Sequence, residues 1–299
     1  MSEPVSDWRP SAVVQHLHNR GQMLAQIREF FARRQVLEVQ TPLLGKATVT
    51  DPEIEALAVR SGETLHGYLQ TSTEYHQKRL LASGVGDNYT LGAVFRADEQ
   101  GALHNPEFTM LEWYRLGFDD RMLMAELEQL VNELLGPGEY KTHSYSAVLE
   151  RGTLSAAELA DVMAADQEDL RLVRALETLG RGRHFVVDYP ARHAVLARLD
   201  PEDTTIARRF ELIIDGIEVA NGYFELTDAR GHRARFEIDN QHRAAKNRPT
   251  IEPDQALLAA IDAGLPECAG VAVGVDRLLM LRTGADSIAE VQAFSWSRR

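Results

Sequence analysis

The sequence predicts an α+β fold in which a mainly antiparallel sheet is flanked by helices. Residues 90–96 and 108–115 are rich in β-branched, aromatic or aliphatic side chains, and a polar loop joins them, which is typical of a hairpin. A second hairpin is indicated at residues 209–226, where two apolar runs meet at an Asp-Gly pair. Residues 270–281 pass from small and β-branched residues into an apolar helical pattern, which predicts a strand followed by a helix.

Other segments predict the flanking helices and one more strand. Apolar residues recur at helical spacing over residues 14–31, with Ser11 as the expected cap. A helix over residues 119–135 is expected to stop at the Gly-Pro pair that follows it. The remaining predictions are two short helices within residues 155–180, a strand at residues 184–190, and helices at residues 228–246 and 254–263.

The first hairpin has one arginine at the start of its loop and several carboxylates after it. Arg96 lies at a strand end, where a guanidinium can bind a phosphate through two parallel hydrogen bonds. This layout suits a site that holds nucleotide phosphates beside the ammonium group of an amino acid. An exposed hairpin with a charged loop is the alternative that this segment alone leaves open.

The strand-to-helix junction also has features of an anion site. Gly270 and Gly274 let a ligand or another backbone approach closely, and Asp276 is expected to cap the helix. Arg277 lies in the first helical turn, where the helix dipole disfavours a cation. A bound polyanion, attracted by both the dipole and Arg277, explains this placement. A glycine-mediated contact between helix and sheet is the alternative.

The second hairpin brings two glutamates together. The turn places Ile213 opposite Glu218, and two residues further it places Glu211 opposite Ala220. Alternate residues share a face, so the two carboxylates become diagonal neighbours. They repel each other unless a cation lies between them, which predicts the Mg²⁺ ion of a bound nucleotide. Solvated strand carboxylates are the alternative.

The next alternate residues of this hairpin suit a cationic amine. Asn221, Tyr223 and Glu225 share the opposite parity, so they set an amide, an aromatic ring and a carboxylate on one face. A carboxylate beside an aromatic face favours an ammonium group. Both parities face one pocket only if the strand is bulged, and Gly222 is the expected position of that bulge.

These three segments resemble motif 2, motif 3 and the intervening active-site strands of class II aminoacyl-tRNA synthetases of the lysyl subclass. The run VLEVQTPLL at residues 36–44 resembles motif 1, which contributes to the dimer interface in that class. Residues 69–84 resemble its amino-acid-binding segment. The resemblance covers nearly the whole chain and implies the class II catalytic fold, one catalytic domain over residues 1–299, and a homodimer.

Residue by residue, the resemblance implies an ATP site, an amino-acid site and a Mg²⁺ site. The implied ATP contacts are Arg96, Ala97, Asp98, Asn105, Phe108, Glu218, Val219, Gly274 and Arg277. The implied amino-acid contacts are Ser72, Thr73, Glu74, Glu112, Tyr114, Asn221, Tyr223, Glu225 and Ala272. Glu211 and Glu218 are the implied metal ligands, and Arg96 and Arg277 the implied catalytic residues.

One of these positions has a structural alternative, and one pair departs from the family pattern. Thr71 and Glu74 also fit a capping box, which gives Glu74 a purely structural alternative. The resembling family usually has Asn and Glu after the motif 2 arginine, whereas this chain has Ala97 and Asp98. Either the loop moves to restore the reach of Asp98, or neighbouring Glu99 takes its role.

The short segment before motif 1 and the residue at position 272 indicate which member of the lysyl subclass the chain resembles. A lysyl-tRNA synthetase carries an N-terminal OB-fold that reads the anticodon, but here the motif 1 match begins at about residue 36, so we expect no such domain. The chain is similar to the elongation factor P lysine ligases, which attach (R)-β-lysine to the ε-amino group of a lysine on that factor. Ala272 stands where lysyl-tRNA synthetases have glycine, and one methyl group discriminates between substrates by about 1–3 kcal/mol.

Composition sets the remaining expectations. The chain has 32 Lys and Arg against 45 Asp and Glu, a net charge of −13, so we do not expect tRNA to be its acceptor. Cys268 is the only cysteine, which excludes an intrachain disulfide and favours a reducing compartment. We find no secretory signal and no transmembrane segment, and we expect a cytoplasmic protein without a membrane partner.

Two other functions stay open at this point. The chain fits a tRNA-dependent, lysyl-type enzyme without an anticodon domain, or an inert synthetase paralogue that senses an amino acid. The presence of Arg96, Glu211, Glu218 and Arg277 argues against inertness, because a sensor needs no phosphate and metal groups.

Overall fold

A main sheet of eight strands and a small sheet of three strands form the framework. The computed structural model describes residues 8–97, 99–155 and 167–298. The strands are β1 (Leu37–Glu38), β2 (Leu44–Gly45), β3 (Ala58–Ser61), β4 (Thr64–Leu69), β5 (Asn88–Phe95), β6 (Glu107–Leu116), β7 (Tyr140–Ser144), β8 (Arg183–Pro190), β9 (Ile206–Ile214), β10 (Ile217–Phe224) and β11 (Cys268–Gly274). The helices are α1 (Val14–Arg33), α2 (Glu74–Ala82), α3 (Asp120–Leu135), α4 (Tyr145–Leu149), α5 (Gln167–Thr178), α6 (Ala229–Ala245), α7 (Gln255–Gly264) and α8 (Val275–Thr283).

The main sheet has the order β1-β5-β6-β11-β10-β9-β8-β7, and the small sheet has the order β2-β4-β3. The two outermost strand pairs of the main sheet, β1 with β5 and β7 with β8, are parallel. The five pairs between them are antiparallel. The predicted α+β fold with a mainly antiparallel sheet is therefore confirmed.

Both predicted hairpins and the strand-to-helix junction are present. Strand β5 pairs with β6 along its whole length, and β11 runs directly into α8. Strands β9 and β10 meet at Asp215 and Gly216, whose φ angles are 50° and 83°. Left-handed conformation at both central residues is the mark of a type I′ turn, and its twist matches that of the flanking strands.

The pairing within the second hairpin departs from the prediction. Glu218 lies opposite Ile213 as expected, but Glu211 lies opposite Asn221 rather than Ala220. The register shifts between Glu218 and Ala220, so β10 accommodates one extra residue there. This bulge lets residues of both parities reach one cavity.

The bulge therefore lies at Val219 and not at Gly222, where we predicted it. Val219 is buried in the main hydrophobic core, which draws this strand inward at that point. Gly222 has a packing role instead, because a Cβ atom there would lie 2.4 Å from Cζ of Phe210. The sequence alone does not show which residue of β10 forms the bulge and which one makes room for the Phe210 ring.

Helix ends are confirmed where a local cap defines them and differ where tertiary partners intervene. Helix α3 stops before Gly136 as predicted, while Asp119, predicted as its first residue, is instead its N-cap. Ser11 does not cap α1; its hydroxyl lies 3.0 Å from that of Ser295. Asp276 does not cap α8, because its carboxylate accepts hydrogen bonds from Arg20 and from the backbone of β6.

The other predicted helices are found with similar bounds. Asp228 caps α6 and Asp254 caps α7 through side-chain hydrogen bonds. Of the two helices predicted within residues 155–180, α5 is present, and residues 156–166 lie outside the described part of the chain. Within that part, no helix combines the length and the apolar character that crossing a membrane requires.

One face of the main sheet is covered by helices α1, α3 and α8 through a continuous hydrophobic core. In that core Phe31 stacks on Tyr89 with ring centroids 4.4 Å apart, and it packs edge-on against Trp113 at 5.3 Å. The indole nitrogen of Trp113 donates to Glu126 at 3.0 Å. Since these helices occupy one face, polar residues collect on the opposite face.

Candidate active site

The opposite face of the main sheet forms the floor of a cavity of about 240 Å³. Strand pairing sets one row of residues across β5, β6, β11, β10 and β9: Thr90, Glu112, Ala272, Asn221 and Glu211. The adjacent row is Asn88, Tyr114, Gly270, Tyr223 and Arg209. Directly paired residues share a face, so β11 places its small residues between larger polar side chains.

Most of the predicted site residues line this cavity. They are Ser72, Glu74, Arg96, Asn105, Phe108, Glu112, Tyr114, Glu218, Val219, Asn221, Tyr223, Glu225, Ala272, Gly274 and Arg277. Thr73, Ala97 and Glu211 do not line it. Asp98 lies outside the described residues. The ligand contacts of all these residues stay predictions.

Glu112 is the best-fixed carboxylate of the cavity. Its Oε2 accepts hydrogen bonds from the hydroxyl of Ser72 at 2.8 Å and from the amide and hydroxyl of Thr73 at 3.1 and 3.0 Å. Its Oε1 accepts from the Tyr114 hydroxyl at 2.8 Å. Burial raises the pKa of Glu112, although these hydrogen bonds oppose the shift. Thr73 thus acts behind the cavity wall, where it orients Glu112.

Glu74 faces the cavity rather than closing a capping box. The cap of α2 is Thr73, and Glu74 is the first helical residue, so it is too early to pair with Thr71 as a capping box requires. Its own amide donates to the hydroxyl of Ser72 at 3.1 Å. The Glu74 carboxylate lies 2.5 Å from Nζ of Lys78.

Glu225 lies at the closed end of the cavity with none of its surface exposed. Its Oε2 lies 2.6 Å from Nζ of Lys78. Its Oε1 accepts no hydrogen bond from the described part of the chain. Burial raises the pKa of Glu225 to about 8, although the charge of Lys78 lowers it. A buried carboxylate oxygen without a donor is suited to a ligand ammonium.

Gly270 provides the space that Tyr114 and Glu225 occupy. A Cβ atom at this position would lie 2.2 Å from Cε1 of Tyr114 and 2.6 Å from Oε1 of Glu225. Both contacts are far inside van der Waals distance. The close approach predicted for this glycine is therefore made by two side chains of the site itself.

Arg96 and Phe108 form one wall at the other end of the cavity. The Arg96 guanidinium lies 5.3 Å from the ring centroid of Phe108, and its Nη1 lies 3.3 Å from Oε1 of Glu99. Glu99 lines the cavity. Glu99 is thus a carboxylate beside the arginine, and because Asp98 lies outside the described residues, the choice between the two alternatives for this loop stays a prediction.

Arg277 closes the same end from α8. It donates to the backbone carbonyl of Glu218 at 2.7 Å, and its Nη2 lies 2.8 Å from Nε2 of His104. Desolvation and the positive charge of Arg277 lower the pKa of His104, so a neutral imidazole accepts this hydrogen bond. Asn105 is held by the backbone: its amide donates to Glu107, and its oxygen accepts from Trp296.

Glu211 and Glu218 differ in their access to the cavity. Glu218 keeps 44% of its side chain exposed, whereas Glu211 is buried and pairs with Arg209 at 2.6 Å. Desolvation in the cleft and the charge of Glu211 raise the pKa of Glu218 to about 7. The described residues contain no cluster of three His, Cys, Asp or Glu for a metal. A nucleotide-bound Mg²⁺ ion usually takes only one or two protein carboxylates beside phosphates and water, so its binding by Glu211 and Glu218 stays a prediction.

Sequence reasoning missed Arg209 and the loop at residues 49–54, which also line the cavity. Arg209 donates to the side-chain oxygen of Asn221 at 3.3 Å and stacks 4.3 Å over the Tyr189 ring. Strand alternation from Glu211 is the signal that would have found it. The loop is held by contacts with α6, such as that between Thr50 and Asp239 at 2.6 Å, for which the sequence gives no local signal.

The family comparison agrees with this geometry. A model of class II tRNA synthetases for Asp, Lys and Asn (D, K and N) matches residues 1–298. The chain belongs to this family. The segments of this chain that resemble the class II catalytic motifs lie on β5, β6, β10, β11 and α8. Residues on β6, β10, β11 and α8, together with Arg96 directly after β5, line the cavity.

Curated relatives match this class II synthetase chain along its full length. The elongation factor P--(R)-beta-lysine ligase of Klebsiella pneumoniae (strain 342) is 45% identical, and the match covers 100% of both chains. The protein of the same name from Salmonella paratyphi B (strain ATCC BAA-1250 / SPB7) is 42% identical with the same coverage. The resemblance drawn from the motifs is therefore confirmed.

Replacement of Gly270 by alanine tests the packing of the closed end. We expect Gly270→Ala to lower the free energy of unfolding by about 1–3 kcal/mol, because Tyr114 and Glu225 must move away from the added methyl group. Chemical denaturation measures this change. Gly92→Ala on β5 is the matched control, since a Cβ atom there meets nothing within 4 Å. Equal stabilities of the two variants would contradict the close packing around Gly270.

Proposed function

We propose that this chain activates a lysine-type diamino acid, preferably (R)-β-lysine, as an aminoacyl-adenylate and transfers it to a lysine ε-amino group of elongation factor P. The observation that supports this most is one sheet face with two chemically different ends. Glu112, Tyr114 and Glu225 form an end suited to an ammonium group, and Arg96 and Arg277 form an end suited to phosphates. The names of the full-length relatives supply the acceptor and the substrate isomer.

The first step joins the substrate carboxylate to AMP. A carboxylate oxygen attacks the α-phosphorus of ATP, the bond to the bridging oxygen of the β-phosphate breaks, and pyrophosphate leaves. Arg96 and Arg277 are positioned to stabilise negative charge on the α-phosphate and the leaving group. Phe108, beside Arg96, offers a flat apolar surface for the adenine ring. No protein nucleophile is required.

Glu211 and Glu218 would hold Mg²⁺ together with the ATP phosphates, and the bound ion supplies further stabilisation of phosphate charge. The bulge at Val219 turns this part of β10 so that Glu218 faces the cavity. Arg209 neutralises Glu211 from behind, which limits the repulsion between the two carboxylates before a ligand enters.

In the second step an amine of the acceptor attacks the carbonyl carbon of the adenylate. An amide bond forms, the bond between carbonyl carbon and phosphate oxygen breaks, and AMP leaves. Glu225 and Tyr114 hold the far ammonium of the substrate throughout, which keeps the carbonyl at the same place in both steps. A net charge of −13 argues against a long nucleic acid as the acceptor.

We further propose that the chain works as a homodimer in the cytoplasm. The motif 1 resemblance supports the dimer, and so do Leu37 and Leu44 in that segment, which are 52% and 45% exposed. A translation factor as substrate supports the compartment.

Exchange of labelled pyrophosphate into ATP tests the activation step. We expect exchange that depends on a lysine isomer, with β-lysine preferred over α-lysine. Arg277→Gln is the matched negative variant, because it removes a cation that the reaction requires. If no lysine isomer supports exchange in the unaltered protein, the chain is not an activating enzyme, and the amino-acid sensor becomes the better explanation.

The same protein then identifies the acceptor. Purified elongation factor P and tRNA are offered together with labelled amino acid, and we expect label on elongation factor P. Label on tRNA alone would reject transfer to a protein and would favour the tRNA-dependent alternative.

Ala272 is expected to set the preference between lysine isomers. Its side chain is partly exposed between Glu112 and Asn221, so its methyl group touches the amino-acid end of the cavity. We expect Ala272→Gly to shift the ratio of kcat/KM values toward α-lysine by about ten- to 200-fold. Pyrophosphate exchange with each isomer measures this ratio. An unchanged ratio would remove Ala272 from the determinants of specificity.

A further inference from the structure

Lys78 on α2 lies directly behind the amino-acid end of the cavity. Its side chain has no exposed surface, and its Nζ lies 2.5 Å from Oε1 of Glu74 and 2.6 Å from Oε2 of Glu225. Both carboxylates line the cavity, whereas Lys78 does not. One buried ammonium therefore joins two groups that we expect to touch the substrate.

A buried lysine is stable only with compensating charges. Burial alone would lower the pKa of Lys78, but the charges of Glu225 and Glu74 raise it above its ordinary value. Lys78 is therefore a permanent cation at neutral pH. Its positive charge in turn opposes the upward shift that burial causes in the pKa of Glu225.

Other ionisable groups face this triad from several elements. They are Tyr75 on α2, Glu112 and Tyr114 on β6, Tyr223 on β10, His232 on α6 and Cys268 on β11. Burial raises the pKa of each tyrosine and of the cysteine, and it lowers the pKa of His232 to about 4, so these five are neutral near pH 7. Arg198 approaches from outside, but it donates to the backbone oxygen of Glu225 and pairs with Glu267.

The charge of the triad matches one ligand ammonium. When both carboxylates are ionised, Glu74 and Glu225 contribute two negative charges and Lys78 contributes one positive charge, so the ionised triad has a net charge of −1. Oε1 of Glu225 has no donor in the described part of the chain. A single ammonium that enters from the cavity would satisfy this oxygen and cancel the remaining charge.

We propose that Lys78 is a positioning residue for the amino-acid site, which holds Glu74 and Glu225 together and favours the ionised form of Glu225 that receives one ammonium group of the substrate. This inference rests on the proposed function. It assigns Lys78 a role in substrate binding, whereas a residue that only joins α2 to the segment after β10 would affect folding alone.

Lys78→Met removes the charge and leaves an unbranched apolar side chain that is one atom shorter. We expect the KM for the amino acid at pH 7 to rise about ten- to 100-fold, because burial then suppresses ionisation of Glu225 without opposition. The KM for ATP and the kcat at saturating amino acid are expected to change little. Pyrophosphate exchange between pH 6 and pH 9 measures these constants.

The pH profile separates positioning from folding. Glu225 binds an ammonium only when ionised, so the amino-acid KM of the unaltered protein falls as the pH rises through the pKa of Glu225. In Lys78→Met this fall is expected at higher pH. Arg79→Met is the matched control, since Arg79 is the next residue of α2, is exposed and has the same charge. A Lys78→Met variant with an unchanged KM and pH profile would overturn the inference.

The double variant Lys78→Met/Glu74→Gln tests the inference if Lys78→Met does not fold. It removes one charge of each sign, and circular dichroism measures its folding. We expect a folded protein whose amino-acid KM exceeds that of Glu74→Gln and depends on pH through Glu225. A folded double variant that matches Glu74→Gln at every pH, or failure of both Lys78 variants to fold, would overturn the inference. Absence of exchange in the unaltered protein would instead overturn the proposed function.

Discussion

The site depends on one constraint, the placement of a strand of small residues between two strands of large polar ones. Strand β11 presents Gly270, Ala272 and Gly274 on the open face of the sheet, while β6 and β10 present carboxylates, tyrosines and an amide on either side. Larger side chains on β11 would fill the space that Tyr114 and Glu225 now share. The opposite face of β11 is packed under α3 and α8 in the hydrophobic core, so the strand cannot shift to make room. Core packing thus determines the shape of the cavity.

A second constraint is the balance of charge in the cavity. Carboxylates outnumber cations at its closed end, and burial makes this excess costly until a cation enters. Lys78 and Arg209 each neutralise a carboxylate from behind, so the cavity keeps ionised groups without losing the folded state. At the other end, Arg96 and Arg277 make few strong ion pairs: their contacts to Glu99 and Glu218 are 3.3 and 3.7 Å long. The two ends therefore favour ligand groups of opposite charge.

Features set by local chemistry could be predicted from the sequence, and features set by distant partners could not. The Asp215-Gly216 turn and the end of α3 before Gly136 depend on neighbouring residues, and both were predicted correctly. The bulge was placed at Gly222 because glycine tolerates irregular backbone, but the burial of Val219 decided its position. Within the site, most residues predicted from the family motifs line the cavity, whereas the loop at residues 49–54 depends on contacts with α6 almost 200 positions away. Lys78 also escaped prediction, since nothing in a helical sequence marks a lysine that is buried.

A crystal structure with a non-hydrolysable analogue of β-lysyl-adenylate tests most directly whether one sheet face holds both ends of the substrate. The far ammonium nitrogen is expected at about 3 Å from Oε1 of Glu225 and from the Tyr114 hydroxyl. The phosphate-like group is expected beside Arg96, with the adenine ring on Phe108. An ammonium bound away from Glu225, or an adenosine group bound outside the wall formed by Arg96 and Phe108, would contradict the central claim.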